Sequence, residues 1–471
     1  MNHQLDYIFK PKSVAVVGAS NRSGKWGFMM VDTPMKSGYK GTIYPVHPTG
    51  GEVLGLKGYT SLLAIPDPVD LVVITVPANI VPQVIKDCAA KGVKCAIIIT
   101  AGFAEVGEQG RILQDEVTRI AKEANIRFVG PNCMGIWSSA AHLNLCLMQQ
   151  PEQGAVAFAS QSGTYGVYLS EIANSKGYGL SKFISIGNQA DITASEYLDY
   201  LAEDEDTKVI VFYIEGFRDG KSFFERAREV IRKKPIIMFK GGKTEAGARA
   251  TKSHTASLAG SEEIYEAMCR QVGIINAAEA FQSFEMAEAL VHQPLPQGNR
   301  IVILGSGGQS VVISDACASL GLEVPELDQT TVNYLKKLLP PHAPPPKNPV
   351  DFAGAYYSVR DQIEVIEQLF KLDYIDGAIA NVPSNLSLQT TVHRTTESDE
   401  PIPEDMARDI EYFAKLPWKY HKPIVTIRIS RPDRKAAESI LKKAGMPFYD
   451  TPEQCARAMY ALAYYAKVKR K

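Results

Sequence analysis

Short runs of valine and isoleucine recur along the chain, each closing on glycine or a small polar residue and each followed by helical periodicity. They are SVAVVGAS (13–20), LVVITVP (71–77), CAIIITAG (95–102), IRFVGPN (126–132), GAVAFASQSG (154–163), KVIVFYIEG (208–216), KPIIMFKGG (234–242), RIVILGSGG (300–308), GAIANVP (377–383) and KPIVTIRIS (422–430). Continuous apolar runs of this length predict strands buried on both faces. Their alternation with helices predicts parallel sheets covered on either side. The class is α/β.

Two breaks divide the pattern. PEQGA (151–155) separates a first sheet from a second, and the proline-rich HQPLPQGNR (292–300) precedes a new strand. Three α/β domains are expected, near 1–148, 150–292 and 298–468. The second and third read as copies of one module. Each opens strand, Gly/Ser turn, helix, as ASQSGTYGVYLSEIA against LGSGGQSVVISDACA. Each closes on a similar tail, VGIINAAEAFQSFEMAEAL against AGMPFYDTPEQCARAMYAL. The third copy has no counterpart of TKSHTASLAG (251–260), because KPIVTIRIS runs directly into a helix. The polar stretch 386–406 is long for a loop, and LPPHAPPPKNPVDF (339–352) is a stiff extended connection. Neither carries a recognisable role.

The glycine-rich openings bring in the first chemistry. VVGASNRSGKWG (16–27) follows a strand and opens a helix, as a dinucleotide-binding loop does. Ser20 and Ser23 stand where the second and third glycines would be, and IYPVHPT (43–49) has no acid at the strand tip to hold a ribose hydroxyl. Both departures count against a nicotinamide cofactor. Neither counts against another phosphate-bearing ligand, since backbone N–H groups at a helix start suit an anion and Lys25 adds charge. SQSGTYG (160–166) and GSGGQS (305–310) are the analogous turns of the other two domains. Ser162 and Thr164 there are either anion ligands or ordinary N-caps.

Composition narrows the class. The chain of 471 residues is 45% hydrophobic and 22% charged, with a formal net charge of −1. Its basic clusters are short, which argues against nucleic acid as partner. Seven scattered cysteines without a C-x-x-C read as free buried thiols of a reducing compartment. No apolar run approaches the roughly 18 residues of a membrane span, and no signal core opens the chain. A cytoplasmic location is expected, and no metal site is read from the histidines and cysteines.

Eight histidines occur, and His254 stands apart because only small residues and hydroxyls surround it. Such a setting leaves room for a bulky group on the ring. YIEG (213–216) puts Glu215 at the carboxyl end of a parallel strand, where open α/β sheets place ligands. A carboxylate holding one ring proton would fix the tautomer and make the other nitrogen nucleophilic. Alternatively Glu215 merely complements a helix start. An imidazole facing helix N-termini is suited to carrying a phosphoryl group.

Together these strings carry a resemblance. VVGAS, YPVHP, ITVPA, ITAGFAE, GPNCMG, SQSGT, SIGNQADI, YIEG, SHTASLAG, NPVDF and GMPFYDTPE occur in that order. The chain so read resembles the α subunit of ADP-forming (nucleoside diphosphate-forming) acyl-CoA synthetases of the acetyl-CoA synthetase type, in the succinyl-CoA synthetase superfamily. The resemblance implies an N-terminal Rossmann-like CoA-binding domain followed by two flavodoxin-like parallel-sheet domains. It implies CoA contacts at Gly18, Ser20, Arg22, Ser23, Lys25, Pro48, Thr75, Pro77, Thr100, Gly102 and Asn132. His254 matches the transiently phosphorylated histidine and Glu215 the glutamate that orients it. Ser162, Gly163 and Thr164, with Gly307, Gly308 and Gln309, match two phosphate-binding helix starts. The implied reaction converts acyl-CoA, phosphate and ADP to carboxylic acid, CoA and ATP through an acyl phosphate and phospho-His254. ATP or ADP and Mg2+ would be held by a separate ATP-grasp β subunit in an α2β2 heterotetramer. Two other readings compete: a CoA-binding or acyl-CoA-sensing protein without turnover, and a Rossmann oxidoreductase.

Overall fold

The computed structural model describes residues 3–254, 261–305, 307–353, 358–383, 402–428 and 434–471. All ten apolar runs form strands. The first sheet contains β1 (Ser13–Val17), β2 (Thr42–Val46), β5 (Leu71–Ile74), β6 (Cys95–Ile98) and β7 (Arg127–Val129). A small hairpin, β3 (Gly51–Val53) and β4 (Leu56–Gly58), stands beside it. The second sheet contains β8 (Gly135–Ser138), β9 (Leu143–Cys146), β10 (Gln153–Ser160), β11 (Leu180–Ser185), β12 (Val209–Ile214), β13 (Ile236–Lys240) and β14 (Ile275–Asn276). The third contains β15 (Ile301–Gly305), β16 (Val350–Asp351), β17 (Gly377–Asn381), β18 (Ile424–Ile427) and β19 (Phe448–Tyr449).

The parallel strands of all three sheets share one order. The parallel strands of the second sheet run β14-β13-β12-β10-β11, and those of the third run β16-β15-β17-β18-β19. Numbered within each sheet, both follow 2-1-3-4-5, the flavodoxin-like order. The first sheet, β2-β1-β5-β6-β7, follows it as well. In this order the chain reverses direction across the sheet between its first and third strands, which opens a crevice at their carboxyl ends. The pairs are β1 with β5, β10 with β12, and β15 with β17. Every residue of β1, β5, β6 and β15 is buried, as unbroken β-branched runs require when helices cover both faces.

The all-parallel expectation fails at one edge. β8 pairs antiparallel with β11, and β9 antiparallel with β8, so residues 135–146 extend the second sheet although they lie in the stretch expected for the first domain. The alternation of GIWS and LNLC is too short to read as a hairpin, and only packing reveals it. Gly135 permits this crossing, with φ of 90° and no room for a side chain: a Cβ would lie 1.8 Å from the Leu145 carbonyl oxygen.

Two compact units emerge, Met1–Ser283 and Phe284–Lys471. The first holds two sheets, tied together by the string after β11. Asp191 accepts from the Phe128 N–H at 2.7 Å and pairs with Arg127 at 2.9 Å, while Glu196 takes the other arm of that guanidinium at 2.6 Å. The Thr193–Glu196 capping box starts the helix Ala194–Glu203 at the same place. Residues 284–292 make their contacts within the second unit. Glu285 meets Arg457 at 3.2 Å, its backbone carbonyl accepts from the Tyr449 hydroxyl at 2.8 Å, and Gln293 accepts from the Ile424 N–H at 2.9 Å.

All seven cysteines are buried and free of disulfides. Burial pushes the thiols of Cys95, Cys133, Cys146, Cys269 and Cys317 up to about 12, which leaves almost no thiolate at neutral pH. The native chain is therefore expected to show essentially no fast thiol towards Ellman's reagent, and all seven after unfolding. A rapidly titrating thiol in the native chain would contradict this packing.

Candidate active site

The crevice of the first sheet is built by backbone approach. Gly18 leaves β1 with φ of 95°, and a Cβ there would lie 2.6 Å from the Thr75 hydroxyl oxygen. That hydroxyl donates to the Val17 carbonyl at 3.0 Å, binding the ends of β1 and β5 together. Gly27 lets the helix Trp26–Ser37 start directly over the turn, since a Cβ there would lie 1.8 Å from the Gly18 carbonyl oxygen. Thus Gly18 and Gly27, rather than a full G-x-G-x-x-G, supply the close turn and close helix. The intervening loop Asn21–Lys25 is exposed. Asn21 ties it to the hairpin by donating to the Glu52 carbonyl at 2.7 Å and accepting from the Leu54 N–H at 2.9 Å.

Around this crevice lies a cavity of about 550 Å³ whose wall combines both sheets of the first unit. From the first sheet come Lys25 and Trp26, Thr75 to Pro77, Ile99 to Ala101, and Asn132 to Met134. From the second come Gln161 to Thr164, Gly187 and Asn188. Two helices, Trp26–Ser37 and Gly163–Ser175, therefore begin at this cavity. The first N–H groups of a helix have no intrahelical acceptor and carry the positive end of its macrodipole, so the cavity favours an anion. Ser162 is the N-cap residue of the second helix, yet its side chain makes no capping bond. Simple capping does not account for the hydroxyl.

Close packing sets the join. A Cβ at Gly163 would lie 2.3 Å from Met134 Cγ and 3.0 Å from the Ser185 hydroxyl, which itself accepts from the Met134 N–H at 2.8 Å. Asn132, at φ of 56°, donates its N–H to the Thr100 carbonyl at 2.9 Å. Asn188 anchors the far wall, its amide donating to Glu105 at 2.6 Å and Gln114 at 3.0 Å. Glu105 in turn accepts from the N–H of Gly102 at 2.6 Å.

Of the residues singled out in the sequence, Lys25, Thr75, Pro77, Thr100, Asn132, Ser162, Gly163 and Thr164 share this cavity. Gly18 lies beneath it against Thr75. Gly102 adjoins it through Glu105. Ser20, Arg22 and Ser23 lie in the neighbouring loop, with Ser20 accepting from the Arg22 N–H at 3.0 Å, and Pro48 is exposed beyond β2; none of these four is on the wall. Trp26, Met134, Gln161 and Asn188 were not foreseen on the wall. The last two stand in SQSGT and SIGNQAD, so the strings were visible while their roles were not.

Glu215 sits at the other end of Gln161. It is 4% exposed and follows β12, beside the end of β10, at the reversal point of the second sheet. Gln161 accepts at one carbonyl oxygen from the N–H of Glu215 at 2.8 Å and of Gly216 at 3.1 Å. The Gln161 N–H donates to the Tyr213 carbonyl at 3.0 Å. One side chain thus spans from the cavity to the carboxylate loop.

The structure makes His254 the last residue of the helix Glu245–His254. Thr244 caps its start, accepting from the Gly247 N–H at 3.1 Å, and Thr251 packs on Gly242, where a Cβ would lie 2.6 Å from its hydroxyl. The imidazole and residues 255–260 lie outside the described residues, so the expectation for the ring is carried by sequence. In the second unit, the helix Gly308–Ser319 starts behind Gly307, and Gln309 lies in its first turn. The Gly307 N–H donates to Asp351 at 2.9 Å. An anion at this turn would have to share or displace that carboxylate. Among the described residues no group of three or more His, Cys, Asp or Glu side chains is arranged to hold a metal ion. None of the described helices is long and apolar enough to cross a membrane.

Comparison with known proteins agrees with this architecture. A family model described as a CoA binding domain matches residues 12–138, and one described as a succinyl-CoA ligase like flavodoxin domain matches residues 153–290. The II subunit alpha of the ADP-forming acetate–CoA ligase of Pyrococcus furiosus is 38% identical over 466 residues, covering 98% of each chain. The ADP-forming acetate–CoA ligase of Methanocaldococcus jannaschii is 38% identical over 476 residues, covering all of this chain and 64% of that longer one. Among solved structures, the dinucleotide forming acetyl-coenzyme A synthetase 1 of Ca. Korarchaeum cryptofilum, in complex with phosphate and ADP, superposes with a TM-score of 0.87 at 34% identity, over 100% of this chain and 98% of that one. The chain belongs to the family of ADP-forming acetate–CoA ligases, acid–thiol ligases, and corresponds to their α subunits.

Proposed function

We propose that this chain is the α subunit of an ADP-forming acyl-CoA synthetase in which His254 carries the phosphoryl group. The observation that carries the reading is the shared cavity: residues expected to grip CoA (Lys25, Thr75, Pro77, Thr100, Asn132) line one wall, and the helix start Ser162–Thr164 lines the other. A thioester held by the first wall and a phosphate held by the second would meet inside it. The loop Ser20–Ser23, Gly18, Pro48 and Gly102 extend the CoA surface around the cavity.

A phosphate oxygen attacks the thioester carbonyl carbon, the C–S bond breaks, and CoA leaves as thiolate to be protonated, giving an acyl phosphate. Helix N–H groups and the Ser162 and Thr164 hydroxyls hold the phosphate oxygens. A neutral nitrogen of His254 attacks phosphorus, the acyl–O–P linkage breaks at phosphorus, and the carboxylate departs. Glu215 holds the other ring nitrogen's proton, which fixes the tautomer and stabilises the charged ring. A terminal oxygen of ADP then takes the phosphoryl group as the P–N bond breaks, giving ATP. ADP and Mg2+ are assigned to a separate ATP-grasp β subunit, with an α2β2 assembly in the cytoplasm. The turn Gly307–Gln309 is the second phosphate-binding helix start in this reading.

The test is direct. With the co-expressed β subunit, acetyl-CoA, phosphate and ADP are expected to give acetate, free CoA and ATP in equal amounts. Tight CoA binding with no phosphate-dependent thioester cleavage would leave only the sensing reading.

A further inference from the structure

Tyr213, near the end of β12, and Glu215, the first residue beyond it, are two residues apart, and the extended backbone turns both side chains to one side. The tyrosine hydroxyl donates to the Glu215 carboxylate at 3.3 Å. Its ring is clamped in a row: Tyr165 meets it edge-on at 5.2 Å, and Phe239 of β13 stacks on it at 5.6 Å. Gly241 completes the fit. A Cβ at 241 would lie 2.5 Å from the tyrosine hydroxyl oxygen and 3.3 Å from Glu215 Cγ, so only glycine leaves space for the pair.

We propose that Tyr213 is a positioning residue, whose hydroxyl fixes the plane of the Glu215 carboxylate so that it meets the imidazole of His254 in one orientation. This rests on the roles given above to Glu215 and His254. A glutamate carboxylate is oriented by three side-chain torsions, which together can spread its acceptor directions widely. One hydrogen bond to an immobilised phenol removes most of that freedom, while Gln161 holds the backbone beneath it. Burial and the adjacent carboxylate both push the Tyr213 phenol above its ordinary range, so it stays a donor throughout working pH. The row also explains why an aromatic residue, rather than serine or threonine, carries the hydroxyl: the ring reaches across the glycine gap and packing fixes its angle.

The experiment measures labelling of the full chain by radioactive phosphate with acetyl-CoA, alone and with its β subunit. In Tyr213→Phe the ring row survives and only the hydroxyl is lost. The limiting rate of His254 labelling is expected to fall about tenfold, with half-saturating acetyl-CoA and phosphate within about twofold and melting temperature unchanged. Gly241→Ala, which crowds the pair without removing the hydroxyl, is expected to lower the limiting rate in the same way. A wild-type limiting rate in Tyr213→Phe overturns the proposal. So does a loss that appears equally in half-saturation and melting temperature, since that pattern belongs to packing alone. Absence of label in the unmodified chain removes the phosphohistidine reading itself, whereas a labelled parent beside an unaffected Tyr213→Phe removes only the role of the tyrosine.

Discussion

His254→Ala is expected to abolish acid-labile phosphate labelling and to lower the overall synthetase rate by at least about 10³-fold, while CoA binding stays within about twofold of the parent. The split follows from where the residues lie. The proposed CoA wall is made by Lys25 and Trp26, the segments just after β5 and β6, and the turn after β7, and its described members are held by backbone bonds such as Asn132 N–H to Thr100. His254 ends a helix whose start is separately fixed by Thr244, so on the proposed mechanism its replacement removes the nucleophile and leaves that wall intact. Isothermal titration with CoA and autoradiography of the acetyl-CoA and phosphate reaction read the two halves. Persistent alkali-stable, acid-labile label in the variant would move the phosphoryl carrier to another residue.

Gly27→Ala is expected to do the reverse, weakening CoA binding at least about tenfold and destabilising the first unit by about 2–3 kcal/mol. Its Cβ would sit 1.8 Å from the Gly18 carbonyl oxygen and 2.7 Å from its carbon, a collision with backbone that no rotamer relieves. The helix Trp26–Ser37 must then move outwards, carrying Lys25, Trp26 and the first N–H groups of the helix off the cavity wall. Titration with CoA and thermal unfolding check both parts. Normal affinity would show that the helix start is not part of the CoA grip.

Much of the fold was legible. An apolar β-branched run needs both faces covered, and that need does not depend on partners, so all ten runs became strands. The duplicated order of elements likewise survived as two sheets of identical strand order. What periodicity left open lay at joins. GIWS and LNLC became an antiparallel edge because Gly135 could press against Leu145, and residues 284–292 went to the second unit because Glu285 found Arg457 and Tyr449 there. Such choices depend on contacts far apart in sequence, and periodicity carries no information about them.

The site divides in the same way. The sequence by itself determined the chemistry available: a histidine among small residues, a carboxylate at a strand end, and glycine–serine turns before helices. Those are local properties, set by residue type and by what a strand–turn–helix junction must look like. Only the tertiary structure decided which of them meet. It placed Lys25, Thr75, Asn132 and Ser162 on one cavity, because Gly163 and Gly187 allow the turns of two sheets to touch, a Cβ at Gly187 otherwise lying 2.4 Å from the Pro131 carbonyl oxygen. It joined Gln161 to Glu215 because strands β10 and β12, some fifty residues apart in the chain, are neighbours in the sheet. A glycine is only a glycine in a sequence; the backbone it admits to contact is known once the chain has folded.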